Sequence, residues 1–261
     1  METLRIFKVG GKVIDDKESM QNFLSDFAAV PGFKILVHGG GKIASDMMTS
    51  MGIEPKMIDG RRVTDEASLE VVTMVYGGLV NKNIVSVLQS HSCNALGLTG
   101  ADLDVITANK RPAKPLDFGF AGDIIEVNSI TLQKLIHEDI VPVMAPITHD
   151  RNGQLLNTNA DTIASSVARA LSTYFKVELV YCFELDGVLD KERQVIDQLD
   201  EEKYEFLKSG DDPVISDGMI PKLDNAFDSL KEGVERVMIC HFKSINKIAT
   251  PSFGGTVICL N

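Results

Sequence analysis

Residues 34–42 read KILVHGGGK, an apolar β-type run and a histidine followed by Gly39, Gly40 and Gly41 in series. Consecutive glycines are entropically expensive to order, because each loses more backbone freedom on folding than any other residue. A tight turn would account for them. So would a negatively charged ligand that must come close to bare backbone N–H groups where a strand ends and a helix begins. The stretch alone leaves both readings open, and both put it at a strand exit.

Working outward, the same arrangement recurs. LRIFKV (4–9) and FKILVH (33–38) are apolar, β-branched runs bounded by glycine, as buried parallel strands are. Between them Met20, Phe23, Leu24 and Phe27 fall at helical spacing. KIASDMMTSMG predicts a helix closed by Gly52. TDEASLEVVTMVYGGLVNKNIVSVLQSH predicts two helical segments, capped by Thr64 or Asp65 and broken at Gly77-Gly78. NALGLTG (94–100) reads as a strand, residues 101–128 as hairpins and loops, and IVPVMAP as a strand. NADTIASSVARAL is a strongly periodic helix, followed by strands in VELVYCF, VERVMICH and GTVICL. Strands alternating with helices predict an α/β sheet covered on both faces. A soft boundary near residue 175 divides an N-terminal lobe (1–175) from a C-terminal lobe (176–261).

Composition narrows the function. Hydrophobic residues make up 44% and charged residues 24% of the 261, ordinary values for a globular protein that can bury a large core. Lys and Arg number 26 against 37 Asp and Glu, a formal charge of −11, so nucleic acid and anionic membranes are poor partners. An anionic ligand would need a local positive site. METLRIFKVGGK is no signal peptide, and no apolar stretch reaches a membrane-spanning length. The four cysteines are scattered and the five histidines show no metal-ligand spacing. A cytoplasmic, reducing location and mostly buried thiols are expected.

Three strand exits carry unusual residues: KVGGK (8–12), HGGGK (38–42) and LGLTG (96–100). None is a Walker A loop or a G-x-G-x-x-G turn. In open α/β sheets ligands bind at the carboxyl ends of strands, and Lys8 places an ammonium beside two glycine pairs. LLNTNAD (155–161) feeds a helix; Asn157 and Asn159 could cap it, and Asp161 would complement its dipole. SDGMIPKLDNA (216–226) puts Gly218 and Lys222 at another helix start, and ELDGVLD (184–190) is an acidic strand-end turn. Phosphoryl transfer suits this set, because its catalysis is mostly positioning and charge stabilisation by backbone N–H groups, lysines and Mg²⁺. The residues themselves support a phosphate-handling α/β enzyme and no more.

Taken in order, KVGGK, LVHGGGK, DGRRVTDEASLEVVTMVYGGLVNKNIV, LGLTGADLD, LDFGFAGDIIEVN, LLNTNADTIASSVARAL and ISDGMIPKLDNA resemble the amino acid kinase family, most closely its acylglutamate kinase branch. GRRVTD followed by VNK is the more branch-specific part. The resemblance implies a three-layer α/β sandwich around a central, mostly parallel sheet. It further implies ATP-dependent, Mg²⁺-assisted phosphorylation of the side-chain carboxylate of an N-acyl-L-glutamate in arginine biosynthesis, the acyl group being acetyl or, alternatively, succinyl. By motif match, Lys8 and Lys222 would stabilise the transferring phosphoryl group, with Asp161 holding both. Gly10 and Gly11 would face the phosphates, Gly40 and Gly41 the acylated amino acid. Arg62 would clamp the α-carboxylate, since a guanidinium fork matches a carboxylate; Asn157 would bond the substrate amide, with Asn159 beside it. Glu184, Leu185, Asp186, Gly187, Val188 and Leu189, with Val214, Ile215 and Ser216, occupy the nucleotide-holding positions. No protein metal ligand is expected.

Plainer readings stand beside these. Arg61 and Arg62 could be solvated surface charges, Lys12 and Lys42 read as surface lysines, and His38 as a hydrogen-bonding scaffold residue. The apolar positions of MVYGGLVNK suit a core or a subunit interface. The chain departs from the family pattern at FELDGVLD, where Glu184 replaces an aspartate and Asp186 a small residue, and at Lys42, where proline is common. It starts almost at its first strand, without the extra N-terminal helix that accompanies arginine-inhibited hexamers, so the resemblance implies a homodimer. Competing functions are a sister kinase for another carboxylate or phosphate, and a non-catalytic nucleotide-binding regulator.

Overall fold

The computed structural model describes residues 1–58, 60–209, 219–250 and 252–260. Its first half runs β1 (Thr3–Val9), α1 (Lys12–Asp15), α2 (Lys17–Ala29), β2 (Phe33–His38), α3 (Gly41–Ser50), β3 (Lys56–Ile58), β4 (Arg61–Val63), α4 (Glu66–Val72), α5 (Asn81–Ser90) and β5 (Ala95–Leu98). Then come β6 (Ile106–Lys110), β7 (Gly122–Val127), α6 (Ser129–His137), β8 (Val141–Met144), β9 (Ile147–His149), β10 (Leu155–Asn157) and α7 (Ala160–Leu171). The last part holds β11 (Lys176–Phe183), β12 (Gln198–Leu199), α8 (Glu201–Ser209), α9 (Ile220–Lys231), β13 (Arg236–His241) and β14 (Thr256–Ile258).

Eight strands form the central sheet in the order β12-β14-β13-β11-β1-β2-β8-β5. All neighbours are parallel except β13 and β14. The sheet crosses residue 175 without a seam, because β1 pairs with β11 from Thr3↔Lys176 to Val9↔Cys182. A second, four-stranded sheet, β10-β9-β6-β7, joins two strands of the hairpin region, β6 and β7, to β9 and β10.

Side chains alternate across a strand, and along β1 that alternation divides the core. Leu4 and Ile6 join the cluster formed with α6, α7 and α9, through residues such as Leu132, Val167 and Leu223. Phe7 and Val9 join the opposite cluster with α2, α3 and α5, through Phe27, Met48 and Ile84. Helices therefore cover both faces, giving the three-layer α/β sandwich. Lys8 shares the face of Leu4 and Ile6, which aims it at α7.

The expected helix break at Gly77-Gly78 does not occur. Asp65 caps α4 by accepting from the Ser68 N–H at 2.9 Å, and the helix passes through π-type turns at Thr73–Val80 straight into α5. Gly77 serves packing instead: a Cβ there would lie 3.3 Å from Thr99 Cγ2. A second expectation falls with it, since Glu66–Ser90 is long and apolar enough to cross a membrane by length and composition. Here Val72, Val75, Val80, Ile84 and Leu88 along it are buried in the core.

Candidate active site

Asn159 caps α7, its Oδ1 accepting from the N–H groups of Asp161 (2.8 Å) and Thr162 (3.2 Å). That cap sets Asp161 in the first turn, facing the end of β1. Lys8 Nζ lies 2.8 Å from Asp161 Oδ1, and Lys222 Nζ, from the first turn of α9, lies 3.0 Å from Oδ2. Burial works against a charged Asp161, but the two ammonium groups more than offset it and hold the carboxyl below the usual carboxylate range. Two cations on one anion leave a net positive charge at the carboxyl ends of the central strands.

Two cavities adjoin this cluster. The first, about 180 Å³, is walled by Gly39, Gly40, Gly41, Arg62, Asn157 and Asn159, among others. Gly40 has φ +147°, and a Cβ there would press on the Tyr76 ring at 3.2 Å, so glycine is required. Arg62 is buried: Nη2 donates to the Gly41 carbonyl (2.9 Å) and Ser45 Oγ (2.8 Å), while the buried Nε has no partner among the described residues. A buried guanidinium N–H left unpartnered beside a cavity fits an anionic ligand. The surface-charge reading of Arg62 is thereby excluded. Asn157 Nδ2 donates to Thr64 Oγ1 at 2.9 Å, which fixes its orientation in β10.

The second cavity, about 450 Å³, is lined by Lys8, Gly10, Gly11, Phe183, Glu184, Leu185, Met219 and Lys222. A Cβ at Gly10 would sit 3.0 Å from Lys8 Nζ, so the bare backbone keeps the ammonium in place. The walls of the two cavities touch at the glycines: Gly39 N–H donates to the Val9 carbonyl at 2.9 Å, and a Cβ at Gly39 would lie 3.3 Å from Gly10 Cα.

The sequence pattern of the amino acid kinase family matches residues 3–241. An acetylglutamate kinase of Cytophaga hutchinsonii is 53% identical over 250 residues, covering 94% of each chain. One from Bacteroides fragilis is 52% identical over 242 residues, covering 91% of this chain and 92% of its own. The chain belongs to the amino acid kinase family. Among solved structures, N-acetylglutamate synthase from Neisseria gonorrhoeae, complexed with coenzyme A and N-acetyl-glutamate, superposes with TM-score 0.83 at 21% identity, over 98% of this chain and 59% of that one. Carbamate kinase from Giardia lamblia bound to AMP-PNP gives TM-score 0.70 at 13% identity, over 100% and 99%. At these identities the two structures speak to the fold alone.

In this amino acid kinase only part of the stretch expected to hold nucleotide reaches a cavity. Glu184 and Leu185 do, but Val188 is buried, its N–H donating to Thr256 Oγ1 at 2.8 Å, and Leu189 forms a bridge with Val195. A Cβ at Gly187 would strike Thr256 Oγ1 at 2.6 Å. Gly187 and Val188 thus pack against Thr256 of β14 and Leu189 pairs with Val195, and none of Asp186, Gly187, Val188 and Leu189 lines either cavity. Val214, Ile215, Ser216 and Gly218 lie outside the described residues.

His38 is the scaffold residue its position suggests. Its Nδ1 donates to the Gly39 carbonyl at 2.7 Å and its Nε2 accepts from Asn81 Nδ2 at 3.1 Å, which requires a neutral ring. Burial pushes its pKa down to about 4. Asn81 also donates to the Val143 carbonyl (2.9 Å), and Lys82 donates to Asn81 Oδ1 (3.0 Å). Holding the Gly39 carbonyl toward His38 turns the far side of that peptide, the Gly40 N–H, the opposite way.

Sequence reasoning missed Tyr76, Arg111 and Phe183 as site residues. Arg111 lines the first cavity, gripped by Asp123 through Nε and Nη2 and lying 5.4 Å from the Phe118 ring centre. It sits just beyond β6, in a hairpin region without periodicity, where no local pattern marks an inward-facing arginine.

Proposed function

We propose that the chain transfers the γ-phosphoryl group of ATP to the side-chain carboxylate of an N-acyl-L-glutamate, N-acetyl-L-glutamate first, as a step of arginine biosynthesis. The observation that carries this reading is the meeting of Lys8 and Lys222 on Asp161 where two cavities adjoin. The names of the half-identical relatives support the same substrate.

In this mechanism the amino acid occupies the Arg62 cavity and the nucleotide the Gly10–Gly11 cavity. A carboxylate oxygen forms the new P–O bond as the bond to the β,γ-bridging oxygen breaks and ADP departs. The acceptor carboxylate is already ionised at neutral pH, so no general base is needed, and His38, neutral and buried, supplies none. Lys8 and Lys222 neutralise charge on the equatorial oxygens, the largest contribution the site makes. Asp161 positions both. Arg62 grips the α-carboxylate, Asn157 accepts from the acyl amide N–H, and Gly40 and Gly41 admit the substrate close to backbone. Among the described residues no group of three or more His, Cys, Asp or Glu could hold a metal. Mg²⁺ bound together with the nucleotide would supply neutralisation of phosphate charge.

A second reading of the acyl group, N-succinyl, is favoured by Arg111. Arg61, Arg62 and Arg111 line one cavity, whereas N-acetylglutamate brings a single carboxylate besides the one being phosphorylated. Two copies of the chain would cover the exposed Met74 and Leu79 on the long helix, in keeping with a homodimer. The test is hydroxylamine trapping with MgATP and glutamate, N-acetylglutamate or N-succinylglutamate. Hydroxamate from an acylated glutamate is expected; none from any of the three would sink the assignment.

A further inference from the structure

The two ammonium groups that share Asp161 also share a second neighbour. Lys8 Nζ lies 5.7 Å and Lys222 Nζ 5.4 Å from the ring centre of Phe183, at the end of β11. Both distances fall within the range in which an aromatic face attracts a cation. The ring is braced: Phe183 and Tyr181 occupy the same face of β11, two residues apart, and their rings stack with centres 6.2 Å apart and planes 2° from parallel. Tyr181 is fully buried and lies beside Lys8 in the strand register. Phe183 itself reaches the second cavity.

We infer that Phe183 is a positioning residue for phosphoryl transfer, its ring face holding Lys8 and Lys222 together beneath the migrating group. This rests on the kinase reading above. Two like charges repel, and Asp161 gives each of them one oxygen. A second carboxylate would hold them as well, but it would also repel the incoming phosphates. An aromatic face attracts ammonium groups through its quadrupole while carrying no net charge. A leucine would fill the same space and offer no such attraction. The contact to both lysines is a property of the phosphoryl-transfer step, so its loss should lower kcat and leave both Michaelis constants nearly unchanged.

The test keeps the ring's shape and drains its face. Chains carrying mono-, di- and trifluorinated phenylalanine at position 183 are compared with the wild type in the hydroxamate assay, alongside Phe183→Leu. The expected result is a stepwise fall in kcat with fluorination, reaching about tenfold in the trifluorinated chain and in Phe183→Leu. KM for ATP and for the acylated glutamate should stay within about twofold. An active wild type with a flat fluorinated series overturns this inference and leaves the kinase reading intact. A wild type that makes no hydroxamate removes both.

Discussion

Lys222 Nζ lies 3.0 Å from Asp161 Oδ2, although 61 positions separate the two residues in the chain. The same carboxylate meets Lys8 through its other oxygen, so one side chain of α7 gathers cations from β1 and α9. Replacing Asp161 by Asn removes the anion and leaves two ammonium groups facing each other in a largely buried place. Breaking a buried ion pair in this way costs about 3–5 kcal/mol. Urea unfolding should register a loss of that order, and kcat should drop by at least about a hundredfold. A variant with wild-type stability would show that the carboxylate does not hold the pair.

Lys8→Met and Arg62→Ala should separate chemistry from grip. On the proposed mechanism the first removes charge that matters most in the transition state, so kcat should fall by about a thousandfold or more while circular dichroism stays unchanged. On the same mechanism the second removes a contact made equally to substrate and transition state, so KM for the amino acid should rise with a modest change in kcat. A large kcat loss at constant KM for Arg62→Ala would contradict its role as a carboxylate clamp.

Arg111→Gln distinguishes the two acyl readings. If Arg111 meets a terminal carboxylate, kcat/KM for N-succinylglutamate should drop about tenfold or more, while N-acetylglutamate is little affected. Equal losses for both substrates would place Arg111 in the general architecture of the cavity.

His38 makes stability depend on pH in a defined direction. Its pKa falls from 6.5 in the unfolded chain to about 4 in the folded one, so between those values the unfolded state binds more protons. Stability attributable to this group is therefore full above pH 6.5 and declines as the pH drops toward 4. The full difference is roughly 3 kcal/mol. Urea midpoints for wild type and His38→Gln between neutral and mildly acidic pH should converge on acidification, and parallel curves would refute this linkage. Asp161 acts at lower pH, since its depressed pKa keeps its contribution until the medium is acidic enough to protonate it.

Gly97→Ala tests the same network from behind. A Cβ at position 97 would fall 1.9 Å from Asn81 Oδ1, an overlap that must push Asn81 away from His38. Overpacking of this kind costs about 1–3 kcal/mol. A melting temperature within one degree of wild type would show that Asn81 moves freely and constrains nothing.

Much of the fold was legible because strand and helix patterns are local. LRIFKV, FKILVH and VELVYCF became β1, β2 and β11, and the Asn159 cap was readable from NTNAD. The helix break was misread because Gly77 was judged by its backbone freedom, whereas its role is close packing against Thr99. The partnership of Lys8, Asp161 and Lys222 is long-range, and no spacing in the sequence encodes it; family resemblance proposed it. Arg111 and Phe183 escaped notice for the same reason, with no family motif to mark them: each is ordinary in its own segment and acquires a place only through neighbours from elsewhere in the chain. The fate of Val188 was hidden too, because its packing depends on Thr256 near the far end.

Because the charged trio is assembled from β1, α7 and the opening turn of α9, a growing polypeptide on the ribosome has no complete centre until Lys222 has been added and the preceding sheet has closed. Fragments ending earlier lack the second ammonium and would leave Asp161 with a single cation, that of Lys8.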